Sequence, residues 1–320
     1  MAVIGTDIGR AEEELKSGRL IAIPTETVYG LAGNAFDPGA IAKVFEVKAR
    51  PSFDPLIVHT ANLERVKTLV DDIPGLAETL AEKFWPGPIT LLLKKRSVIP
   101  DLATSGMDTV AVRIPRQPLT LELLERLDFP LVAPSANPFG YISPTTAAHV
   151  NDQLGDKIDY ILDGGACEVG LESTIVGFDQ DQRPIIYRFG GTSQEQIEQI
   201  AGKVKVMPHS SSNPKAPGML KSHYAPRIPL TLGDIETSLQ EVRNRDKVGI
   251  ISFRSYFDTV PRENQVRLAP DGQLDTAAKQ LFSALRDMDT KDIDMILAEP
   301  VPAHGLGLAI NDRLRRAAAK

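Results

Sequence analysis

The 320-residue sequence contains one cysteine, Cys167, so an intrachain disulfide and a thiolate metal cluster are both excluded. The five histidines are scattered and form no HExxH or comparable ligand pair, so no protein-held metal site is predicted. No apolar run approaches the roughly 20 residues that a membrane-spanning helix needs. The first residues also lack a basic stretch followed by an apolar one, and a cytoplasmic location is therefore expected.

A strong excess of basic residues is also missing. Residues 1–206 carry 20 basic and 28 acidic side chains, a net charge of −8, whereas residues 207–320 carry 16 basic and 14 acidic ones, a net charge of +2. Proteins that coat nucleic acids neutralise phosphates with many lysines and arginines. We therefore expect no strong direct binding to nucleic acid, and no membrane partner.

Periodic apolar patterns indicate an α/β protein. They predict helices over 8–17, 38–49, 61–70, 74–84, 118–127 and 193–202. They predict strands over 20–23, 55–60, 87–95, 109–115, 129–137, 158–165, 173–178 and 184–190. Because helices and strands alternate irregularly and several strands cluster late, a twisted mixed sheet is favoured over a strictly doubly wound one.

A segment rich in Pro, Ser and Gly interrupts this pattern after residue 206. It has no periodic apolar face, which is typical of a linker. The sequence therefore predicts a first domain over 1–206, a linker over 207–229 and a smaller α/β, Rossmann-like domain over 230–320. In the second domain, strands are predicted at 247–253 and 293–300, with an amphipathic helix at 273–289 between them.

Polar groups repeatedly follow buried apolar runs. The stretch RLIAIPTETVYGL (19–31) passes directly from a predicted strand into hydroxyls and a carboxylate. The same succession recurs in KARP, DPLIVH, TVAVRIP, APSAN, GYISPT, ESTIV and YRFG. Each stretch alone fits ordinary loop chemistry, but ligands of α/β proteins bind at strand ends, so together they predict a ligand site. No GxxxxGK[ST] or GxGxxG nucleotide motif accompanies them.

These stretches resemble the YrdC-type threonylcarbamoyl-AMP synthase family over about residues 8 to 200. The linker sequence APGMLKSHYAP and the terminal GLGLAINDRLRRAA (305–318) resemble its long form, which has a second domain. The resemblance implies a YrdC-like catalytic domain and a nucleotidyltransferase that makes threonylcarbamoyl-AMP from L-threonine, bicarbonate and ATP, releasing pyrophosphate. The product would feed N6-threonylcarbamoyladenosine formation by a downstream tRNA threonylcarbamoyl transferase.

The resemblance also implies particular site residues. Lys48 and Arg50 are the candidates for catalysis, since a carbamate that attacks the α-phosphorus of ATP needs fixed cations. The implied threonine contacts are Thr27, His59, Arg113, Ala133 and Ser173. The implied ATP contacts are Arg50, Asp54, Thr109, Ser135, Asn137, Ser143, Arg188, His223 and Tyr224. Mg²⁺ is expected to bind through ATP rather than protein side chains, and no organic cofactor is expected.

Two other functions remain open from the residues. One is an RNA-binding module that grips RNA in the concave face of the sheet, and the other is carbamoyl transfer from a different donor. The linker raises a further question, because it either folds over the ATP site as a lid, with Tyr224 touching the nucleotide, or serves as a flexible tether.

Overall fold

The structure is a computed structural model that describes residues 1–207, 216–217, 219 and 223–319. The strands of the first part are β1 (Val3–Gly5), β2 (Ile21–Ile23), β3 (Gly30–Asn34), β4 (Ile57–His59), β5 (Ile89–Lys94), β6 (Thr109–Arg113), β7 (Leu131–Val132), β8 (Tyr160–Leu162), β9 (Thr174–Phe178), β10 (Pro184–Arg188) and β11 (Lys205–Val206). Its helices are α1 (Ile8–Lys16), α2 (Pro38–Lys48), α3 (Leu63–Leu69), α4 (Gly75–Phe84), α5 (Asp101–Thr104), α6 (Pro118–Arg126), α7 (Ala147–Leu154) and α8 (Gln194–Ala201).

These strands form one mixed sheet. Within the described residues it has 11 strands in the order β1-β8-β2-β3-β7-β4-β6-β5-β9-β10-β11. Parallel pairs such as β4 with β6 alternate with antiparallel pairs such as β5 with β6 and β9 with β10. The prediction of a mixed rather than a doubly wound sheet is therefore confirmed.

The second part has a separate sheet. Its strands are β12 (Leu230–Leu232), β13 (Val248–Ser252), β14 (Gln265–Arg267) and β15 (Met295–Ala298), and its helices are α9 (Ile235–Glu241), α10 (Leu274–Asp289) and α11 (Gly307–Ala318). The described strands pair in the order β12-β15-β13-β14, and all of them are parallel. A small parallel sheet of this kind agrees with the Rossmann-like architecture expected here.

The two parts share an apolar core. Ile142 and Leu171 of the first part lie in one buried cluster with Tyr224 of the linker and with Leu281 and Phe282 of α10. Because burial of apolar surface is the main favourable term in folding, this cluster ties the second sheet firmly to the first.

The ends of α2 explain how two predicted site residues are placed. Asp37 accepts a hydrogen bond from the Gly39 backbone N–H at 2.8 Å, and Pro38 occupies the first turn, so the helix begins there. The helix ends at Lys48 because Ala49 adopts the left-handed conformation, with φ at 51°. Lys48 therefore points from the last helical turn, and Arg50 follows beyond the bend.

The segment 129–137 departs most from the sequence prediction. A buried strand was expected over its whole length, but only Leu131–Val132 pair as β7. Pro134 has no backbone N–H to continue the ladder, and beyond it Ser135 forms an isolated bridge with Gly30. The short antiparallel strand β3 was not predicted, because the glycines in GLAGN weaken the strand pattern.

Candidate active site

A cavity lies where the ends of β4, β6 and β10 and the start of β9 meet the segment between β2 and β3. Five of its lining residues are the predicted threonine contacts Thr27, His59, Arg113, Ala133 and Ser173. Five others are the predicted ATP contacts Arg50, Ser135, Arg188, His223 and Tyr224. The cavity offers water about 50 Å³, so the site is narrow. Residues from positions 27 to 224 thus meet in one place.

Arg113 lies at the centre of the polar wall. It is buried at the end of β6, and its Nε donates to the Gly87 carbonyl at 3.1 Å. Its Nη1 donates to Oγ1 of Thr27 at 2.9 Å, and its Nη2 lies 2.8 Å from Oε1 of Glu26 in an ion pair. The guanidinium is therefore held rigidly on three sides, which suits a group that orients a carboxylate.

His59 contributes a neutral imidazole. Burial, together with the positive charge of Arg113, lowers the pKa of His59 to about 3. Its Nδ1 has no hydrogen-bond partner within the described part of the chain. The neutral ring lines the cavity and can hydrogen-bond a polar ligand without adding charge.

Ser173 is fixed between two strands. Nη2 of Arg188 donates to Oγ of Ser173 at 3.1 Å and to its carbonyl at 3.0 Å, while Oγ1 of Thr90 lies 2.7 Å from the same hydroxyl. Burial lowers the pKa of Arg188 to about 10, so it remains a cation at neutral pH. The backbone at position 190 passes close to the residues just before β9, and this requires Gly190, because a Cβ there would lie 2.2 Å from the Glu172 carbonyl oxygen.

Arg50 supplies a cation on the opposite wall. Its Nε donates to the Asp54 carbonyl at 3.0 Å and its Nη2 to the Pro55 carbonyl at 2.8 Å. The same Nη2 lies 2.9 Å from Oδ2 of Asp54, a buried carboxylate that does not line the cavity. Asp54 thus acts on the site through Arg50 in this conformation, rather than by facing the cavity itself.

Lys48 lies beneath the cavity wall, not on it. Its Nζ donates to the carbonyl of Ser135 at 2.6 Å and to that of Asn137 at 2.5 Å. Burial, with Arg50 as a further cause, lowers the pKa of Lys48 well below its ordinary value. The structure therefore places this predicted catalytic cation behind the loop that carries Ser135, where it fixes the backbone.

Three other predicted ATP contacts do not line the cavity. Asn137 donates through Nδ2 to the carbonyls of Pro138 and Tyr141, and Oγ of Ser143 donates to Oε1 of Glu172 at 2.6 Å. Thr109 shares a face of β6 with Arg113 but lies four residues away, about 13 Å at roughly 3.3 Å per residue. Thr109 is thus separated from the polar wall by a distance comparable to the length of an extended ligand.

The linker reaches the cavity through His223 and Tyr224. Tyr224 is buried with φ at 65°, an unfavourable conformation for a residue with a side chain. Its ring centroid lies 4.2 Å from that of His223, and the guanidinium carbons of Arg313 and Arg316 lie 5.0 and 4.8 Å from it. These contacts hold the strained tyrosine against the site.

Sequence reasoning missed three charged residues of this region. Glu26 pairs with Arg113, Glu172 lines the cavity, and Arg313 of the second domain contacts Glu172. Two of them had a local signal, since Glu26 precedes Thr27 and Glu172 precedes Ser173. Arg313 had none, because its partner lies 141 positions away in the sequence.

Two general searches of the described residues gave negative results. No group of three or more His, Cys, Asp or Glu side chains there is placed to hold a metal ion. Among the described helices, none is both long and apolar enough to cross a membrane.

Family comparisons cover nearly the whole chain. A family model described as "Telomere recombination", which groups Sua5, YciO and YrdC, matches residues 13–190. A second model, described as "Threonylcarbamoyl-AMP synthase, C-terminal domain", matches residues 192–319.

Individual relatives are similar over their full length. The chain is 41% identical over 319 residues to a threonylcarbamoyl-AMP synthase of Pyrococcus abyssi, covering 95% of this chain and 91% of the relative. It is 38% identical over 321 residues to one of Bacillus subtilis, covering 97% and 92%. It also superposes with a TM-score of 0.89 on the crystal structure of P. abyssi Sua5 complexed with L-threonine, at 38% identity and with 99% and 97% of the two chains covered.

Proposed function

The chain belongs to the family of threonylcarbamoyl-AMP synthases in its long, two-domain form, and from this premise we propose how its cavity works. The enzyme makes threonylcarbamoyl-AMP from L-threonine, bicarbonate and ATP and releases pyrophosphate. We further propose that residues 1–206 form the catalytic domain, that 207–229 form the linker and that 230–320 form the second domain.

One observation carries this proposal. Ten residues implied to bind threonine or ATP, spread from position 27 to position 224, line a single cavity, and three of the ten are arginines. Neither an RNA-binding surface nor an ordinary set of helix caps requires such convergence into a buried pocket. The reaction does require it, because an amino acid and a nucleotide must meet with their charges neutralised.

Threonine binds on the Arg113 side of the cavity in this proposal. The guanidinium of Arg113 pairs with the carboxylate of the substrate threonine. The neutral imidazole of His59 and the hydroxyl of Thr27 orient the other polar groups of the substrate. Ser173 lies close by and is held by Arg188. The threonine nitrogen attacks bicarbonate carbon to form the carbamate, with loss of water.

Adenylation then joins the two substrates. A carbamate oxygen attacks the α-phosphorus of ATP, the bond from that phosphorus to the bridging oxygen breaks, and pyrophosphate leaves with the electron pair. Arg50 and Arg188 neutralise the phosphate charge, whereas Lys48 keeps the Ser135 loop in place behind them. Positioning and charge, rather than a protein nucleophile, supply the acceleration.

Mg²⁺ would accompany ATP in this proposal, held mainly by the nucleotide, and would neutralise further phosphate charge. The polar part of the cavity lining consists of arginines, hydroxyls and imidazoles, which suit phosphates, together with the carboxylate of Glu172. The product passes to a downstream tRNA threonylcarbamoyl transferase. The cytoplasmic location stays an expectation from the sequence.

The linker closes the ATP site in this proposal. Cavities that bind drug-sized ligands measure about 300–1,000 Å³, and the present cavity is far smaller. Ala216 and Met219 of the linker cover an apolar strip of the sheet that includes Ile57 and Ala111. Ala111 lies between Thr109 and Arg113 on β6, so withdrawal of the linker exposes an apolar surface suited to a purine ring.

The proposed reaction is tested by pyrophosphate release from ATP, with threonine and bicarbonate supplied together or withheld one at a time. We expect release only when all three substrates are present. Release without threonine would support the alternative of carbamoyl transfer from a different donor. No release, combined with salt-sensitive RNA binding, would instead support the RNA-binding alternative.

A further inference from the structure

Helix α11 of the second domain inserts a fully buried arginine beside the cavity. Nε of Arg313 donates to Oε2 of Glu172 at 2.9 Å, and its Nη2 donates to the Phe189 carbonyl at 2.8 Å. Its Nη1 donates to Oδ2 of Asp312 on the same helix at 2.5 Å. Arg313 therefore links the second domain to two separate segments of the first.

Both contacted segments carry site residues. Glu172 lines the cavity and immediately precedes Ser173, and Phe189 immediately follows Arg188. The other oxygen of Glu172 accepts the hydrogen bond from Ser143. A shift of Arg313 would thus move residues of both the threonine side and the ATP side.

The contact between Arg313 and Glu172 is electrostatic as well as structural, because Glu172 is charged. Burial opposes its ionisation, but the positive charges of Arg313 and Arg188 outweigh burial and hold the pKa of Glu172 below its ordinary value. Glu172 is thus an anion in the wall of a cavity that must accept a triphosphate. Unless it is neutralised, it repels that ligand.

We infer that Arg313 is a positioning residue of the synthase, which neutralises Glu172 and fixes the backbones beside Ser173 and Arg188, so that the second domain completes the ATP site. This inference rests on the proposed function. It assigns the second domain a direct part in nucleotide binding, beyond its share of the apolar core.

Other contacts hold the domains together at a distance from the cavity. Nη2 of Arg286 on α10 donates to the carbonyl of Ile142 and to Gln153, and the hydroxyl of Tyr141 donates to Asp289 at 2.5 Å. None of these four side chains lines the cavity. Removal of Arg313 therefore leaves an interface that can still hold the domains in place.

The test compares ATP binding and steady-state kinetics of the full-length chain and its variants. Replacement Arg313→Met removes the ion-pair partner of the buried Glu172, and we expect the ATP Kd and KM to rise at least tenfold, with the threonine KM rising by a smaller factor. Adding Glu172→Gln removes the anion and should lower the raised ATP Kd at least threefold, although the hydrogen bond to the Phe189 carbonyl stays lost.

Arg315→Met is the matched control, because Arg315 is exposed on the same helix and its loss makes the same change in net charge. An ATP Kd of Arg313→Met equal to that of Arg315→Met, in a wild-type background that releases pyrophosphate, overturns the inference and leaves the proposed function intact. So does a defect that Glu172→Gln fails to relieve. Wild-type protein that binds no ATP overturns both.

Thermal unfolding of each variant identifies any that fails to fold. In that case Arg313→Lys, which keeps the charge but loses the fork of hydrogen bonds, takes the place of Arg313→Met. An intermediate rise in ATP Kd supports the inference, and an unchanged Kd overturns it.

Discussion

At the scale of single residues, the arginines of the cavity already form hydrogen bonds and ion pairs with other groups of the protein. Arg50 uses Nε and Nη2 on backbone carbonyls and on Asp54, and Arg113 is held by Glu26, Thr27 and Gly87. Fixed groups of this kind do not need to reorganise as charge develops in the transition state, which is why they stabilise it effectively.

We expect Arg50→Ala and Lys48→Ala each to lower turnover by about a hundredfold, which is typical of a lost electrostatic stabiliser. The causes differ, because Arg50 lines the cavity whereas Lys48 supports the backbone of Ser135 and Asn137. Pyrophosphate release measures turnover, and thermal unfolding measures stability. Both variants should also lower the melting temperature, because Lys48→Ala removes the donor to two buried carbonyls and Arg50→Ala removes the ion-pair partner of the buried Asp54.

Lys43→Ala on the same helix is the control, because Lys43 is exposed. Turnover close to wild type in Arg50→Ala would remove Arg50 from the phosphate site. A Lys48→Ala variant with lost activity but unchanged stability would assign Lys48 a direct contact with ATP instead of a supporting one.

At the scale of elements, the linker is the part that the proposal requires to move. Its described residues Pro217, His223 and Tyr224 line a cavity too small for ATP, while the Ala225 N–H is anchored to the Gly140 carbonyl at 2.9 Å. Tyr224 retains its strained backbone only because rings and guanidiniums surround it. An anchored end beside a strained residue is a plausible hinge for opening and closing.

Limited proteolysis tests this closure. We expect ATP plus threonine to slow cleavage within residues 207–229, because the linker, once withdrawn from the apolar strip to admit ATP, folds over the bound substrates and contacts them. Cleavage after the exposed Arg243 in the second domain provides the control and should not change. Equal linker cleavage with and without the substrates would contradict a lid and favour a simple tether.

At the scale of the whole molecule, burial of uncharged histidines couples folding to pH. The pKa of His59 falls to about 3 through burial and Arg113, and that of His223 falls well below its ordinary value through burial and Arg316. The unfolded chain, with histidine pKa values near 6.5, binds more protons than the folded chain below that pH. The free energy of unfolding therefore falls as pH falls.

The loss begins near pH 6.5 and continues toward about pH 3 for His59. Each histidine contributes a slope of up to about 1.4 kcal/mol per pH unit. Urea unfolding between pH 7.5 and 5 measures this slope. His59→Asn should lower the slope by up to about 1.4 kcal/mol per pH unit, which corresponds to the uptake of one proton on unfolding. A slope in His59→Asn equal to that of the wild-type protein would contradict the prediction.

The sequence by itself determined the class of fold and predicted ten of the residues that line the cavity. Apolar periodicity reports which segments are buried, and the polar groups that end those segments, such as Thr27, His59 and Arg113, mark where the sheet can hold a ligand. These are local properties, carried by neighbouring residues, and so they are visible along the chain.

The tertiary structure alone decided what each cation faces. Lys48 and Arg50 are two positions apart, yet one supports a loop and the other lines the cavity, because the left-handed Ala49 turns the chain between them. The contact of Arg313 with Glu172 joins positions 141 residues apart. No local pattern encodes such a pair, since its formation depends on how two separately folded sheets pack against each other.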